Sequence, residues 1–166
     1  MGELFDKLAN YGNSGIYPFH MPGHKRQKTV DFNPYKIDIT EIEGFDNLHH
    51  AEGVLLEAQK KAEKLYGSEE SHFLINGSTA GILSAVSACA KKTVLIARNC
   101  HKAVYHAALI RNLDVYYVYP EIQEEFMLNG GINPADVERS LEEHPEIEAV
   151  VITSPTYDGI VSDVKR

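Results

Sequence analysis

The chain has 166 residues, of which 43% are apolar and 24% are charged, and its formal net charge at pH 7 is −8. This length supports one domain of ordinary size with its own core, and the negative charge argues against a nucleic-acid or anionic-membrane partner. No apolar run approaches the roughly 20 residues that span a bilayer, and the N-terminus has no signal-peptide core, so we expect a cytoplasmic protein. Cys89 and Cys100 show neither disulfide-scaffold nor metal-motif spacing, so we expect two reduced thiols, with Cys89 on a buried helix face.

The first 50 residues are predicted to form an N-terminal arm and interface segment, followed by an α/β domain over residues 51–166. Apolar residues at helical spacing predict an amphipathic helix over residues 3–11, which the turn-forming residues 12–15 end. In residues 17–26, two prolines and a glycine accompany histidine and basic side chains. This stretch is either a solvated loop or a loop that faces an anion.

Residues 37–66 combine a turn region with the clearest helix of the chain. The adjacent His49 and His50 would point to opposite faces of a strand, and no third ligand stands at a suitable spacing, so no metal site is predicted. From residue 51 to 66 apolar side chains recur at helical spacing, and Gly67 provides a C-terminal stop. One stripe of this helix is formed by Val54, Leu55, Ala58, Ala62 and Leu65.

From Ser71 onward short apolar runs alternate with helical stretches, which is typical of βαβ units and a mostly parallel sheet. Strands are predicted over residues 72–75, 93–97, 115–119 and 148–153. Helices are predicted between them over residues 78–91, 101–112 and 134–144. Because right-handed crossovers bring the carboxyl ends of parallel strands to one edge, we expect ligands to bind there.

The joint at residues 76–81, Asn-Gly-Ser-Thr-Ala-Gly, lies at this edge between a predicted strand and a predicted helix. The first N–H groups of a helix have no intrahelical partner and carry a partial positive charge, so these amides and the hydroxyls of Ser78 and Thr79 can hold a phosphate. Gly77 and Gly81 would let the backbone approach such a ligand. The alternative is that Ser78 is only the N-cap of an ordinary helix.

Two further loops reach the same edge, at residues 98–101 and 154–157. The imidazole of His101 can stack on a flat heteroaromatic cofactor, and the alternative is that it caps its helix or lies on the surface. The hydroxyls of Ser154 and Thr156 can bind polar substituents of a cofactor, although such a triplet also forms ordinary turns. The three loops together predict a site for a planar cofactor that carries a phosphate group.

Five motifs extend over most of the chain. They are, in order, Phe-His-Met-Pro-Gly-His-Lys (19–25), Leu-His-His-Ala-Glu-Gly (48–53), Phe-Leu-Ile-Asn-Gly-Ser-Thr-Ala-Gly (73–81), Arg-Asn-Cys-His-Lys (98–102) and Thr-Ser-Pro-Thr-Tyr-Asp-Gly (153–159). In this order they resemble the bacterial ornithine/lysine/arginine decarboxylases, which use pyridoxal 5′-phosphate and have the aspartate-aminotransferase-like fold. The resemblance implies an α/β fold, namely a partial aspartate-aminotransferase-like large domain with a mostly parallel sheet flanked by helices and an N-terminal arm.

The resemblance also implies roles for residues of this chain. Ser78 and Thr79 would hold the phosphate of pyridoxal 5′-phosphate, and His101 would stack on its pyridine ring. Ser154 or Thr156 would contact the side of the ring that carries the phenolic oxygen. The substrate would be a basic amino acid, which is lysine, ornithine or arginine, and the products would be the corresponding amine and carbon dioxide.

An oligomer is a further implication of the resemblance. The loop at residues 22–25 is similar to a family segment that packs at the dimer interface near an active site. In the family's large domain the first strand pairs with the last, so residues 72–75 would lack this neighbour here. We therefore expect a homodimer or higher oligomer, or a rearranged first strand.

The chain departs from the family at its two best-known catalytic segments. Neither an Asp-Glu-Ala-His segment, which carries the cofactor-binding aspartate, nor a Ser-x-His-Lys segment, which carries the Schiff-base lysine, occurs in it. Residues 99–102 are not the lysine motif, because they precede the third predicted strand and lack the leading serine, so Lys102 is expected on a helix surface.

We therefore expect the N-terminal portion of a decarboxylase, truncated before the lysine, with no catalytic residue of its own and no activity alone. Two alternatives stay open. One is a non-catalytic module that associates with a full-length decarboxylase. The other is a fragment of another aminotransferase-like enzyme.

Overall fold

The computed structural model describes residues 3–19, 24–27, 31, 33–36 and 38–165. It divides the chain into two compact units, Met1–Glu57 and Ala58–Arg166. The division at residues 50 and 51 stays a prediction. Residues 20–23, which carry most of the first motif and part of the predicted interface loop, lie outside the described residues.

The first unit begins with the predicted arm helix, α1 (Glu3–Gly12). Arg26 lies against this helix, with its guanidinium carbon 4.5 Å from the centre of the Tyr11 ring. Its Nη1 donates to the carbonyl oxygen of Ser14 at 3.2 Å. A short 3-10 turn follows at Pro34–Lys36.

The predicted helix from residue 51 is present as α2 (Val54–Tyr66) and begins later than expected. The Asp46 carboxylate accepts hydrogen bonds from the N–H groups of Glu52, Gly53 and Leu55 at 3.0, 2.8 and 3.0 Å. The amides of Gly53 and Leu55 would otherwise lack partners at the start of the helix. The hydrogen bond from Glu52 is the first of the backbone interactions that lower the pKa of Asp46 to about 2, because they stabilise its charged form.

The second unit alternates helices and strands. In chain order they are α3 (Gly77–Cys89), β1 (Thr93–Ala97), α4 (Lys102–Arg111), β2 (Asp114–Val118), β3 (Ile122–Gln123), β4 (Leu128–Asn129), α5 (Pro134–Glu143) and β5 (Ala149–Val151). β1 is the centre of a three-stranded parallel sheet in the order β2-β1-β5, and β3 and β4 form a separate antiparallel pair. The predicted α/β fold class is confirmed.

The core lies on both faces of β1, whose five residues are all buried, as expected for a central strand of a parallel sheet. Val94 and Ile96 pack toward α3 and α4 on one face. Leu95 and Ala97 pack toward α5 on the other. Both layers of helices therefore depend on this one strand.

The prediction of a strand over residues 72–75 is wrong, because these residues pair with no strand among the described residues. Phe73, Leu74 and Ile75 are 49%, 49% and 59% exposed. A strand needs a neighbour to bond its backbone and bury its side chains, and a local apolar pattern supplies neither. Within the described ranges the parallel sheet therefore has three strands rather than four, and the short β3–β4 pair was not predicted.

The expectation for Cys89 is also wrong, because this thiol is exposed and Cys100 is the buried one. The buried face of α3 is formed by Ile82, Leu83 and Val86, and Cys89 ends the helix beyond this stripe. Burial raises the pKa of the Cys100 thiol, since it disfavours the charged form.

In the part of the chain that the structure describes, no helix combines the length and the apolar character that a bilayer crossing requires. Across the same residues, His, Cys, Asp and Glu side chains form no group of three or more that could hold a metal ion. The exposed His50 instead lies 3.0 Å from a carboxylate oxygen of Glu52.

Candidate functional site

Two helix N-termini lie at the carboxyl end of β1. α3 leads into β1 through residues 90–92, and β1 leads into α4 through residues 98–101. Because these connections are short and both helices pack on the same face of the sheet, both run antiparallel to β1. Gly77 and Lys102, the first residues of α3 and α4, are therefore at one edge of the sheet.

The start of α3 offers hydrogen-bond donors that no residue in the described part of the chain uses. Its N-cap is Asn76, whose side chain makes no capping hydrogen bond, so the alternative that Ser78 is the N-cap is wrong. Gly77 has φ +67°, in the left-handed region that favours glycine. Ser78 and Thr79 are exposed in the first turn, and within the described ranges neither hydroxyl has a hydrogen-bond partner.

Gly81 lies close to the side chain of Leu74. A Cβ atom at this position would lie 2.6 Å from Cδ1 of Leu74. The absence of a side chain therefore lets residue 74 lie close against α3. The near atom is the end of a flexible, half-exposed side chain, whereas Gly77 has open space around it.

His101 is the N-cap of α4, and its Nδ1 accepts a hydrogen bond from the backbone N–H of Ala103 at 3.2 Å. This bond orients the ring and leaves the proton of the neutral imidazole on Nε2. The side chain is exposed. The capping alternative is thus observed, and the same bond fixes a ring whose surface remains available to a flat partner.

The loop after β5 is held together by its own hydroxyl groups. Ser154 Oγ accepts from the N–H of Ser162 at 3.0 Å, and Thr156 Oγ1 accepts from the N–H of Ile160 at 3.2 Å. The N–H of Thr156 donates to the Ile160 carbonyl oxygen at 2.8 Å. Each hydroxyl accepts one bond here and still has its own proton to donate.

The candidate residues reach one edge by different routes. β5 lies beside β1, with Val151 opposite Ile96, so residues 98–101 and 154–157 follow neighbouring parallel strands. Residues 76–79 reach this edge through α3 and not through a strand. Inside the described ranges, no hydrogen bond joins these three loops directly.

A cluster around Arg98 was missed by the sequence-based reasoning. Arg98 Nη1 donates to the Tyr105 hydroxyl at 2.7 Å, and this hydroxyl donates to the Arg98 carbonyl oxygen at 2.8 Å. The guanidinium carbon lies 5.3 Å from the centre of the Tyr105 ring and 5.7 Å from that of Tyr117. The hydrogen bond to Tyr105 raises the pKa of Arg98, and burial raises the pKa of Tyr105.

The alternation of side chains along β1 contains a signal that could have predicted the Arg98 cluster. Arg98 continues the alternation of Val94 and Ile96, which face α3 and α4, and Tyr117 lies opposite Ile96 on β2. Once the register is known, both side chains fall on the α4 face. The neighbouring Asn99 contributes a buried Oδ1 that has no hydrogen-bond partner among the described residues.

Residues 3–166 match the family model described as Orn/Lys/Arg decarboxylase, major domain, and the chain belongs to this family. It is 36% identical over 171 residues to the uncharacterized protein YaaO of Bacillus subtilis, covering 97% of this chain and 35% of that protein. It is 31% identical over 173 residues to an arginine decarboxylase of Bacillus cereus, covering 98% of this chain and 38% of that protein. The resemblance inferred from the five motifs is thereby confirmed.

The fold is similar to that of a solved protein, the constitutive lysine decarboxylase of Escherichia coli. The TM-score is 0.60 at 27% sequence identity, and the match covers 93% of this chain and 25% of that one. The chain therefore spans between a quarter and two fifths of the length of the relatives it matches.

Proposed function

We propose that this chain forms the phosphate-binding and ring-stacking part of a pyridoxal 5′-phosphate site in a decarboxylase of basic amino acids. The observation that carries the proposal is the start of α3, where the N-cap side chain makes no bond and the Ser78 and Thr79 hydroxyls are exposed. Family membership and the names of the relatives, arginine and lysine decarboxylases, support the reaction class. Lysine, ornithine and arginine all remain candidate substrates.

The residues present fit the phosphate of this cofactor. The free N–H groups of the first turn of α3 and the hydroxyls of Ser78 and Thr79 form a set of donors without a negative side chain among them. The helix adds a partial positive charge at the same point, so a phosphate dianion is stabilised there.

The other two loops would orient and shield the ring. His101, held by Ala103, would cover one face of the pyridine and exclude water from it. Ser154 or Thr156 would donate its remaining hydroxyl proton to the phenolic oxygen while keeping its loop bond. When bound, the cofactor supplies an electron sink for the charge that remains after loss of carbon dioxide.

We further propose that the 166 residues do not decarboxylate a substrate by themselves. Their sequence contains neither the Asp-Glu-Ala-His nor the Ser-x-His-Lys segment of the family. Without these groups, nothing identified in the chain would hold the ring nitrogen protonated or anchor the cofactor covalently. Self-association as a dimer or higher oligomer is part of the proposal, since β2 and β5 are the edge strands of the sheet that the described residues form.

The test titrates the purified chain with pyridoxal 5′-phosphate and follows the phosphate signal by ³¹P NMR. Replacing Ser78 by Ala and Thr79 by Val should each weaken binding about tenfold or more, because each removes a hydrogen bond to a charged group. Ser84→Ala, at an exposed serine further along α3, is the matched control and should bind as the unmodified chain does.

Carbon dioxide release from lysine, ornithine and arginine is measured in the same samples and is expected to stay at background. Binding that is insensitive to Ser78 and Thr79 would refute the phosphate assignment. Robust turnover by the chain alone would refute the proposed inactivity. Sedimentation as a monomer at micromolar concentration would contradict the oligomer.

A further inference from the structure

Arg98 is an exposed cation at the carboxyl end of β1 that makes no ion pair within the described part of the chain. Its guanidinium contacts the Tyr105 hydroxyl and lies over the rings of Tyr105 and Tyr117. The chain has 24 acidic and 16 basic residues, so carboxylates are plentiful. None of those described pairs with this arginine.

The guanidinium is nevertheless fixed in position. Its Nη1 donates to the Tyr105 hydroxyl, and the same hydroxyl donates back to the carbonyl oxygen of Arg98, so the side chain is tied to its own backbone. The rings of Tyr105 and Tyr117 support it at 5.3 and 5.7 Å from their centres. A long side chain that is already ordered loses less entropy when it binds a ligand.

Most of the hydrogen-bonding capacity of this guanidinium is unused. Arginine has five N–H donors in a planar fork, and the described contacts occupy one of them. A fork of this kind matches the two oxygens of a carboxylate. The Tyr117 ring, whose centre is 5.7 Å from the guanidinium carbon, is 41% exposed, so this surface is open to a ligand.

We propose that Arg98 is an anion-binding residue that takes a carboxylate group through the free N–H groups of its guanidinium, with Tyr105 and Tyr117 holding the fork in place. The carboxylate group could be supplied by a small dicarboxylate in solution or by an acidic side chain of a second copy of the chain. The proposal does not rest on the cofactor assignment, because it uses none of Ser78, Thr79 or His101.

The experiment titrates the ¹⁵N-labelled 166-residue chain with malonate at constant ionic strength and follows the arginine Nε–Hε signals. Saturable binding should weaken about tenfold or more in Arg98→Gln, because a charge-assisted pair of hydrogen bonds is lost. Arg98→Lys keeps the charge but lacks the planar fork, so its malonate affinity should lie between those of the unmodified chain and Arg98→Gln. Arg111→Gln removes the same charge from an exposed site in the last turn of α4 and should bind malonate as the unmodified chain does.

Tyr105→Phe tests whether the fork is positioned by its hydroxyl partner. This variant keeps the ring and loses the two hydrogen bonds, so malonate binding should weaken while the far-UV circular dichroism spectrum stays unchanged. If Arg98→Gln fails to fold, Arg98→Lys and Tyr105→Phe decide the question. If the unmodified chain binds malonate, unchanged binding in both variants would overturn the proposal.

Sedimentation at increasing protein concentration distinguishes the two sources. If malonate does not bind, but self-association is lost in Arg98→Gln and kept in Arg111→Gln, the carboxylate belongs to a second copy. The proposal is overturned if Arg98→Gln changes neither malonate binding nor self-association. It is also overturned if Arg111→Gln reduces malonate binding or self-association as much as Arg98→Gln does.

Discussion

His101 combines two roles that substitutions can separate. Its Nδ1 caps α4 through the N–H of Ala103, and its ring is proposed to stack on the cofactor. Asn at this position keeps a capping acceptor and removes the ring. Phe keeps an aromatic face and removes the acceptor, and Ala removes both.

The expected magnitudes differ enough to be measured. Loss of an N-cap costs about 1 kcal/mol, which lowers the melting temperature of a chain of this size by about 2–4 °C. Loss of ring stacking costs about 0.5–1.5 kcal/mol, or about two- to thirteenfold in the dissociation constant. His101→Phe should therefore lower the melting temperature with little loss of cofactor binding. His101→Asn should weaken cofactor binding with little change in the melting temperature.

Thermal unfolding by circular dichroism and titration with pyridoxal 5′-phosphate measure the two effects on the same samples. The matched controls are His106→Asn and His106→Phe, because His106 is an exposed histidine within α4 that does not cap it. Cofactor binding that survives His101→Asn and is lost in His101→Phe would refute the stacking role. An unchanged melting temperature in His101→Phe would refute the capping role.

Two further predictions concern stability. The pKa of Asp46 is lowered from 3.8 to about 2, so its contribution is fully present above about pH 3.8 and is lost as pH falls toward 2; Asp46→Asn should remove this dependence from urea unfolding midpoints, and an identical pH profile would contradict it. Gly81→Ala places a Cβ 2.6 Å from Leu74 Cδ1, so adding Leu74→Ala should relieve the clash. The double-mutant cycle should give a coupling of about 0.5–3 kcal/mol, and simple additivity would show that the two residues do not meet.

The elements that the sequence predicted well are those whose signals are local. The helix from Pro134 begins with the Asn133 cap, whose side chain accepts from the N–H of Ala135 at 3.0 Å, and both residues are recognisable without tertiary information. The strand Thr93–Ala97 is a continuous apolar run because it is buried on both faces. Such patterns depend on only a few neighbouring residues.

The elements that were missed depend on partners far along the chain. Residues 72–75 have a strand-like composition, but no strand that the structure describes pairs with them. The contact between Arg98 and Tyr117 depends on the register of β1 with β2. The roles of Ser78 and His101 toward a cofactor stay predictions, because they depend on a ligand and not on the fold alone.

The Asp46 cap has a consequence for the order of folding. Its bonds reach Glu52, Gly53 and Leu55, which are six, seven and nine residues away. Loops of about 10 residues close in about 10–100 ns, far faster than contacts between distant strands form. The turn that contains Leu-His-His-Ala-Glu-Gly therefore needs no sheet to form, and we expect it to assemble as an early local structure from which α2 extends.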